Sequence, residues 1–262
     1  MQISLKNKKA LIGGASSGLG KAIAIQLARC GAQITVIGRN QVKLDAVVKK
    51  LDAINSGGNA SLLTDYNDFQ SYQNDISKFF EGNQVDILVN NTQGPNSGNV
   101  FDKTADDYQK AFDLLFQVAV YTSTLALKGM LEKRSGRIIN LSSMTVKEPQ
   151  NQLVLSNTMR AALCSWSKSL SNEVADRGVT VNSILTGFFD TERLKELAKN
   201  QSLKSGMSVE EIENNRLLGI PAKRLGQVEE YGHLVAFLAS EYSSYITGAA
   251  IPIDGGVANP FI

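Results

Sequence analysis

Histidine is nearly absent: the 262 residues hold one, His233. A Ser-His-Asp hydrolase needs a histidine beside its nucleophile, and a zinc site needs several histidines or cysteines. His233 lies in a helical pattern near the C-terminus with no partner motif and reads as structural. Cysteine is almost as sparse. Cys30 and Cys164 are far apart and sit in helical patterns, which excludes a disulfide framework and leaves two buried, reduced thiols of the kind a cytoplasmic protein carries. Neither sign of charge dominates: 27 basic against 25 acidic residues leave +2, a poor match to nucleic acid or an anionic membrane as main partner. No apolar stretch of signal-peptide length follows the N-terminal lysines, and no run approaches the ~18 apolar residues of a membrane span. A soluble cytoplasmic protein is expected.

What is present is 43% hydrophobic, enough for a sizeable core, and it is arranged with regularity. Short runs rich in Val, Ile and Leu fall at residues 10–13, 33–38, 60–64, 85–90, 137–141, 180–185 and 250–253. They do not alternate with polar residues, so both of their faces are buried, as in a parallel sheet. The stretches between them are mostly long enough for crossover helices. The expectation is one α/β domain over residues 1–262 with a doubly wound, seven-stranded parallel sheet. Gly31 and the pair Gly57-Gly58 stop the first two helices. Thr104 with Asp107 forms a capping box opening a helix to about Arg134. No repeat, low-complexity tract or linker divides the chain. Only the polar segment 191–226 breaks the alternation, and an insertion there reads as a partly helical lid over the substrate.

Residues 13–20 read Gly13-Gly14-Ala15-Ser16-Ser17-Gly18-Leu19-Gly20, directly after the first strand. They open a helix that carries Ile23, Leu27 and Ala28 on one face. Gly14 permits the tight turn, Gly18 lets backbone approach a pyrophosphate, and Gly20 lets the helix pack closely on the sheet. The helix N-terminus presents free N–H groups and the positive end of its dipole. With strand, helix and second strand in sequence, this is a Rossmann-type dinucleotide site, whose candidates include Gly14, Ser16, Ser17, Gly18, Leu19 and Gly20. The second strand ends Ile37-Gly38-Arg39-Asn40, with Arg39 standing 19 positions past Gly20. An NAD site places an acidic residue about there; a guanidinium suits the 2′-phosphate of NADP(H) instead, with NAD(H) the second choice. The other reading of Arg39 is a surface arginine beginning a helix.

At this point the chain resembles the short-chain dehydrogenase/reductase family over nearly its whole length. The glycine spacing is that family's, although its usual leading Thr is Gly13 here. Asp65 falls where the family sets an aspartate against the adenine ring. Asn90-Asn91-Thr92-Gln93-Gly94 is similar to its Asn-Asn-Ala-Gly segment. Gly136-Arg137-Ile138-Ile139-Asn140-Leu141-Ser142-Ser143 is similar to the strand delivering its catalytic serine, Ser143. Thr186-Gly187 with Thr191 resembles its Pro-Gly segment and nicotinamide-holding threonine, and Asp254-Gly255-Gly256 its C-terminal end. The resemblance implies hydride transfer between nicotinamide and a carbonyl or alcohol. It implies cofactor contacts from Arg39, Asn40, Asp65, Asn90, Arg160, Gly187 and Thr191. It also implies a homotetramer with helices 104–134 and 152–177 paired across a two-fold axis, a further contact through 255–262, and Phe112, Leu115, Phe116, Val120, Leu163 and Trp166 supplying apolar area.

The chain departs from that pattern at the proton-transfer groups. With Lys168-Ser169-Leu170 fixing the register, the family's Tyr aligns with Ser156, its Lys with Arg160, and its Asn with Leu115. The reductase-like members that lack Tyr-x-x-x-Lys look similar, and 3-oxoacyl-carrier-protein reductases are more distant in likeness. A serine hydroxyl is a far weaker acid than a phenol of pKa about 10, and Arg160 is a fixed cation that donates hydrogen bonds without shuttling a proton. Ser156 and Arg160 are therefore either catalytic with Ser143, or a helix surface and a cofactor clamp. Lys147 and Glu148 border the same pocket, with Glu148 a partner for Arg160, an acid, or a solvated loop charge; Tyr121 reads as helix packing. An NADP(H)-dependent reductase of a small-molecule carbonyl, with an atypical proton donor, stands against a dinucleotide-binding sensor or scaffold without turnover. Hydrolysis at Ser143 fails for want of a Gly-x-Ser-x-Gly elbow and a histidine.

Overall fold

The seven apolar runs do form one sheet. In the computed structural model, which describes residues 2–56 and 58–258, the strands are β1 (Lys9–Ile12), β2 (Gln33–Gly38), β3 (Ala60–Leu63), β4 (Ile87–Asn90), β5 (Gly136–Leu141), β6 (Val179–Thr186) and β7 (Ala250–Ile253). All neighbours are parallel, in the order β3-β2-β1-β4-β5-β6-β7. The helices are α1 (Gly18–Arg29), α2 (Gln41–Ile54), α3 (Phe69–Gly82), α4 (Ala105–Phe112), α5 (Val118–Glu132), α6 (Val154–Val174), α7 (Glu192–Ser205), α8 (Val209–Leu218) and α9 (Val228–Ala239).

Two apolar layers cover the sheet. One joins Ile12, Ile34, Val36, Val89 and Ile184 to Ile23 and Leu27 of α1, Leu44 of α2 and Val235 of α9. The other joins Leu11, Ile37, Leu88 and Val181 to Ile76 of α3, Leu115, Ala126 of α5 and Leu155 of α6. β4 and β5 are buried along their whole length, which is why they carry no regular polar alternation; the edge strands β3 and β7 are partly exposed, contrary to the expectation that every run is buried on both faces, because each has a neighbour on one side only. On the side of the second layer runs a polar thread. Asn90 donates to Ser123 (3.0 Å) and to Asn140 (2.7 Å), and Asn140 donates to Ser167 (2.7 Å). These buried groups tie β4 and β5 to α5 and α6 with their hydrogen-bonding capacity met.

The strand order reverses between β1 and β4, so the crevice at their carboxyl ends is the topological switch point where α/β sheets bind ligands. Gly13 leaves β1 there and donates to Val89 O (3.0 Å).

Several expectations are corrected by the fold. The capping box at Thr104 and Asp107 forms, but the helix it opens is interrupted by a π-turn at Asp113–Gln117 before α5 resumes. The helical stretch Ala105–Glu132 is long and apolar enough to cross a membrane by length and composition alone, contrary to the reading of the runs; half of its most apolar window is buried inside this protein. The two thiols are free but only half-buried. Leu115 and Leu163, offered as inter-subunit area, are 4% and 3% exposed and belong to the protein's own interior. Phe112, Phe116, Val120 and Trp166 do form a half-buried strip, with Phe112 stacked on Phe116 and Phe116 edge-on to Trp166. Gly57 and residues 259–262 lie outside the described residues, and Gly58 turns at φ +74° as a post-helix glycine does.

Candidate cofactor and active site

The glycine-rich turn sits at the crevice with its geometry set by sterics. Gly14 and Gly18 both adopt left-handed backbone, φ +56° and +53°, which side chains other than hydrogen rarely tolerate. A β-carbon on Gly20 would lie 2.4 Å from Gly14 O, so the first turn of α1 closes on the strand exit only because residue 20 has none. Ser17 is the N-cap of α1 yet makes no side-chain capping bond, and no acidic residue occupies the first turn. By contrast Asn40, Asp68, Thr104, Thr191 and Ser208 each cap their helices. The N–H groups at the start of α1 are thus left for an anion. Ser16 lies beside the end of β2, its β-carbon 3.5 Å from the position a β-carbon would take on Gly38. Leu19 packs onto the α1–α9 layer.

The remaining cofactor candidates are distributed around this turn. Arg39 is exposed at the end of β2, and none of its guanidinium N–H groups is used within the described residues. The Asn40 side chain accepts from Lys43 N (3.0 Å) as the cap of α2. Asp65 is exposed and accepts from Asn67, which in turn accepts from Gln93 (2.8 Å), a chain along the crevice rim. Thr191, the N-cap of α7, comes close to the turn: its methyl lies 3.6 Å from the position of a β-carbon on Gly18. Gly187 is explained by packing, since a β-carbon there would stand 2.5 Å from Asp254 Cα. The Asn90 side chain does not face the crevice. Its amide is turned inward to Ser123 and Asn140, and it is Asn91 whose amide braces the turn, donating to Gly13 O (3.1 Å).

The proton-transfer candidates gather where β5 meets α6. Residues 156, 160 and 164 follow one face of α6, four apart, and all three bond within this cluster. Arg160 Nε donates to Ser156 Oγ (3.1 Å) and Arg160 Nη1 to Leu141 O (2.7 Å); Cys164 donates to Ser142 Oγ (3.3 Å). Ser143 is two residues beyond Leu141, and its Oγ accepts from Thr145 N and Oγ1 (3.2 and 3.1 Å). Burial pushes the Arg160 guanidinium down from its ordinary value, partly offset by the electronegative Tyr231 and Cys164 nearby. Tyr121 bonds Ser77 (2.7 Å) and packs edge-on to Phe69, as helix packing requires.

Two tyrosines were not singled out from the sequence. Tyr231 of α9 is fully buried, and its hydroxyl meets Thr186 Oγ1 at 2.9 Å. A hydroxyl at 186, where the resemblance implies Pro, thus has its partner from α9, and burial raises the Tyr231 pKa above the usual phenol value. Tyr66, 6% exposed, accepts from Gly14 N (3.3 Å). A β-carbon on Gly13 would lie 2.9 Å from that hydroxyl and 2.5 Å from Asn91 O, and the cavity bordered by Gly13, Tyr66 and Asn91 has only about 10 Å³. Gly13 and Tyr66 thus fit each other: the phenol takes the space a side chain at 13 would need and accepts from the Gly14 N–H. Gly13 was legible as an anomaly; its partner, 53 positions on, was not.

A doubly wound parallel sheet, an uncapped helix N-terminus behind a left-handed glycine turn, and a serine–arginine cluster at the neighbouring strand end define a dinucleotide-dependent oxidoreductase. The chain belongs to the short-chain dehydrogenase/reductase family: the family profile described as enoyl-(acyl carrier protein) reductase matches residues 14–258. It is 32% identical over 259 residues to the NADPH-dependent reductase BacG of Bacillus subtilis strain 168, covering 96% of this chain and 98% of that protein. It is 32% identical over 257 residues to the 3-oxoacyl-[acyl-carrier-protein] reductase FabG of Escherichia coli K12, covering 97% and 99%. Among solved structures it resembles L-sorbose reductase from Gluconobacter frateurii complexed with NADPH and L-sorbose, with a TM-score of 0.92, 27% identity and full coverage of both chains.

The Gly13–Tyr66 fit predicts non-additive substitutions. Gly13→Thr alone should weaken NADPH binding and stability, and Tyr66→Val alone should cost about 1–3 kcal/mol through the unsatisfied Gly14 N–H and the vacated volume. The double variant should be better than the sum by about 1 kcal/mol or more in a double-mutant cycle. Additive losses in chemical denaturation and NADPH titration would show that the two positions are independent.

Proposed function

We propose that this protein is an NADP(H)-dependent oxidoreductase transferring hydride between nicotinamide and a small-molecule carbonyl or alcohol, with an atypical proton donor. The observation that carries the cofactor is the uncapped start of α1 beside the free guanidinium of Arg39. One offers N–H groups to the pyrophosphate, the other a bidentate partner for a 2′-phosphate. The NADPH dependence stated for BacG and the NADPH bound in the sorbose reductase structure support the same choice, with NAD(H) the weaker alternative. Gly14, Ser16, Ser17, Gly18, Leu19 and Gly20 would hold the pyrophosphate, Arg39 and Asn40 the adenosine ribose phosphate, Asp65 the adenine. Asn90 would act through its backbone, and Gly187, Thr191 and Arg160 would hold the nicotinamide half.

When bound, the cofactor supplies the hydride chemistry; the protein's own groups orient the carbonyl and manage its proton. Ser143 would hold the substrate oxygen. In this alignment the phenol and lysine are replaced by Ser156 and Arg160. Arg160 donates to Ser156 Oγ, so a fixed positive charge stands against that hydroxyl and favours any negative charge developing on or beside it. A serine is still a poor general acid, and Tyr231 does not replace the lost phenol, because burial makes its hydroxyl less acidic. The same observation favours a second reading, a dinucleotide-binding sensor or scaffold that has lost turnover. Assembly as a homotetramer is proposed from the half-buried strip Phe112, Phe116, Val120 and Trp166, and a clean monomer in light scattering would contradict it. The segment 191–226 is proposed as the substrate lid.

Two measurements test the reading. NADPH should bind more tightly than NADH by roughly tenfold to a hundredfold, the worth of a charge-assisted phosphate contact, and Arg39→Asp should invert the order; equal affinities in the wild type refute the assignment. Steady-state oxidation of NADPH on simple activated ketones should run about 10²–10⁴-fold slower than in a reductase with a positioned phenol. Ser156→Tyr with Arg160→Lys should raise it. Full turnover in the wild type would show that the alignment of Ser156 is wrong or that another acid suffices, whereas cofactor binding with no turnover on any carbonyl selects the sensor reading.

A further inference from the structure

The lid carries a cation that the protein does not neutralise. α8 turns Ile212 into the body, 3% exposed, and Arg216 follows one turn later on the same face, half-buried. Its guanidinium carbon stands 5.7 Å from the centroid of the Phe188 ring. Among the described residues it forms no ion pair and no hydrogen bond. Its arginine neighbours and Lys195 are paired: Arg193 with Glu196, Lys195 with Asp190 and Glu192, and Arg224 in a two-point contact with Glu230, whereas exposed Lys199 and Lys223 make no ion pair among the described residues. Glu213 acts on Arg216 only from a distance, and burial pushes the guanidinium down from its ordinary value.

The place of this charge is informative. Phe188 directly follows Gly187 and leads to Thr191, whose methyl closes on Gly18. It also lines a cleft of about 140 Å³ with Phe189, Ala222, Arg224 and Asp254. The acids on that cleft are already engaged. Asp254 accepts from Gly256 N and Ala258 N (2.9 Å each), and Glu230 accepts from Arg224. A cation held on an aromatic face, partly withdrawn from water, gains most from an anion that arrives under the same cover. Stacking uses the flat face of a guanidinium and leaves its edge N–H groups to bind a planar anion at two points.

We infer that Arg216 recognises an anionic group, a carboxylate or phosphate, on the carbonyl substrate. This rests on the reductase reading and narrows its substrate class to carbonyl compounds that carry a negative charge. The shared chemistry leaves one rival source, a phosphate of the cofactor, which the test separates.

The experiment uses the full-length protein and calorimetry. NADPH is titrated first into wild type and Arg216→Gln, and equal affinities are expected. Each protein, saturated with NADP⁺, is then titrated with acetoacetate and with its neutral methyl ester. Wild type should prefer the anion by about tenfold or more, the worth of a charge-assisted bond, and Arg216→Gln should bring the two within about threefold; Arg216→Lys should fall between. A preference that survives Arg216→Gln, or a wild type that binds neither probe or both equally, overturns the assignment. A tenfold loss of NADPH affinity in Arg216→Gln would assign the arginine to the cofactor's phosphate and overturn it too. Failure of NADPH to bind the wild type strikes the reductase reading and this assignment with it, whereas NADPH binding without anion preference strikes the assignment alone.

Discussion

Among the described residues no side chain caps the start of α1, and much of the surrounding architecture keeps its first N–H groups open. The strand order 3-2-1-4 opens a crevice at that point. Gly20 allows the helix to close on the strand exit, Gly14 and Gly18 turn through left-handed backbone, and the Ser17 hydroxyl stays out of the cap. Five other helices satisfy the same need with a side chain. A helix N-terminus without a side-chain cap is completed by water or by an anion, and this one stands at the topological switch point, where α/β sheets bind ligands. Asn91 and Tyr66 belong to the same arrangement, bracing the turn from β4 and from beyond β3.

The sheet was legible because burial on both faces removes regular alternation from the central strands, and all seven runs became neighbours in a parallel order, although the edge strands β3 and β7 are partly exposed. The turn was legible because glycine is the one residue whose backbone freedom leaves a mark in spacing. Less accessible were pairings between distant residues. Tyr66 with Gly13 and Tyr231 with Thr186 are each a compensation, visible from one side as an odd residue and intelligible only once the partner is in contact. Asn90 and Asn91 show the limit at shortest range: adjacent identical side chains point to opposite faces of a strand, one into the buried polar thread and one toward the turn. The π-turn at Asp113–Gln117 left no mark, since a single extra residue in a helix does not disturb an apolar pattern enough to be seen. Leu115 sits inside that turn, so the bulge is present without the asparagine that the family resemblance would place there.

These compensations bear on how the serine–arginine cluster is to be understood. Thr186 and Tyr231 are matched to each other, and Arg160, Ser156 and Leu141 form a bonded set. Buried polar groups in folded proteins are nearly all paired. Among the described residues the buried side-chain atoms without partners are Thr64 Oγ1, Asn157 Oδ1 and Ser183 Oγ, and none belongs to that set. The polar groups of the cluster are paired with one another and with the end of β5. Arg160 is half-buried and is held by a carbonyl and a hydroxyl, Leu141 O and Ser156 Oγ, whose dipoles only partly offset a fixed charge. A fixed cation at such a position stabilises an oxyanion without supplying a proton.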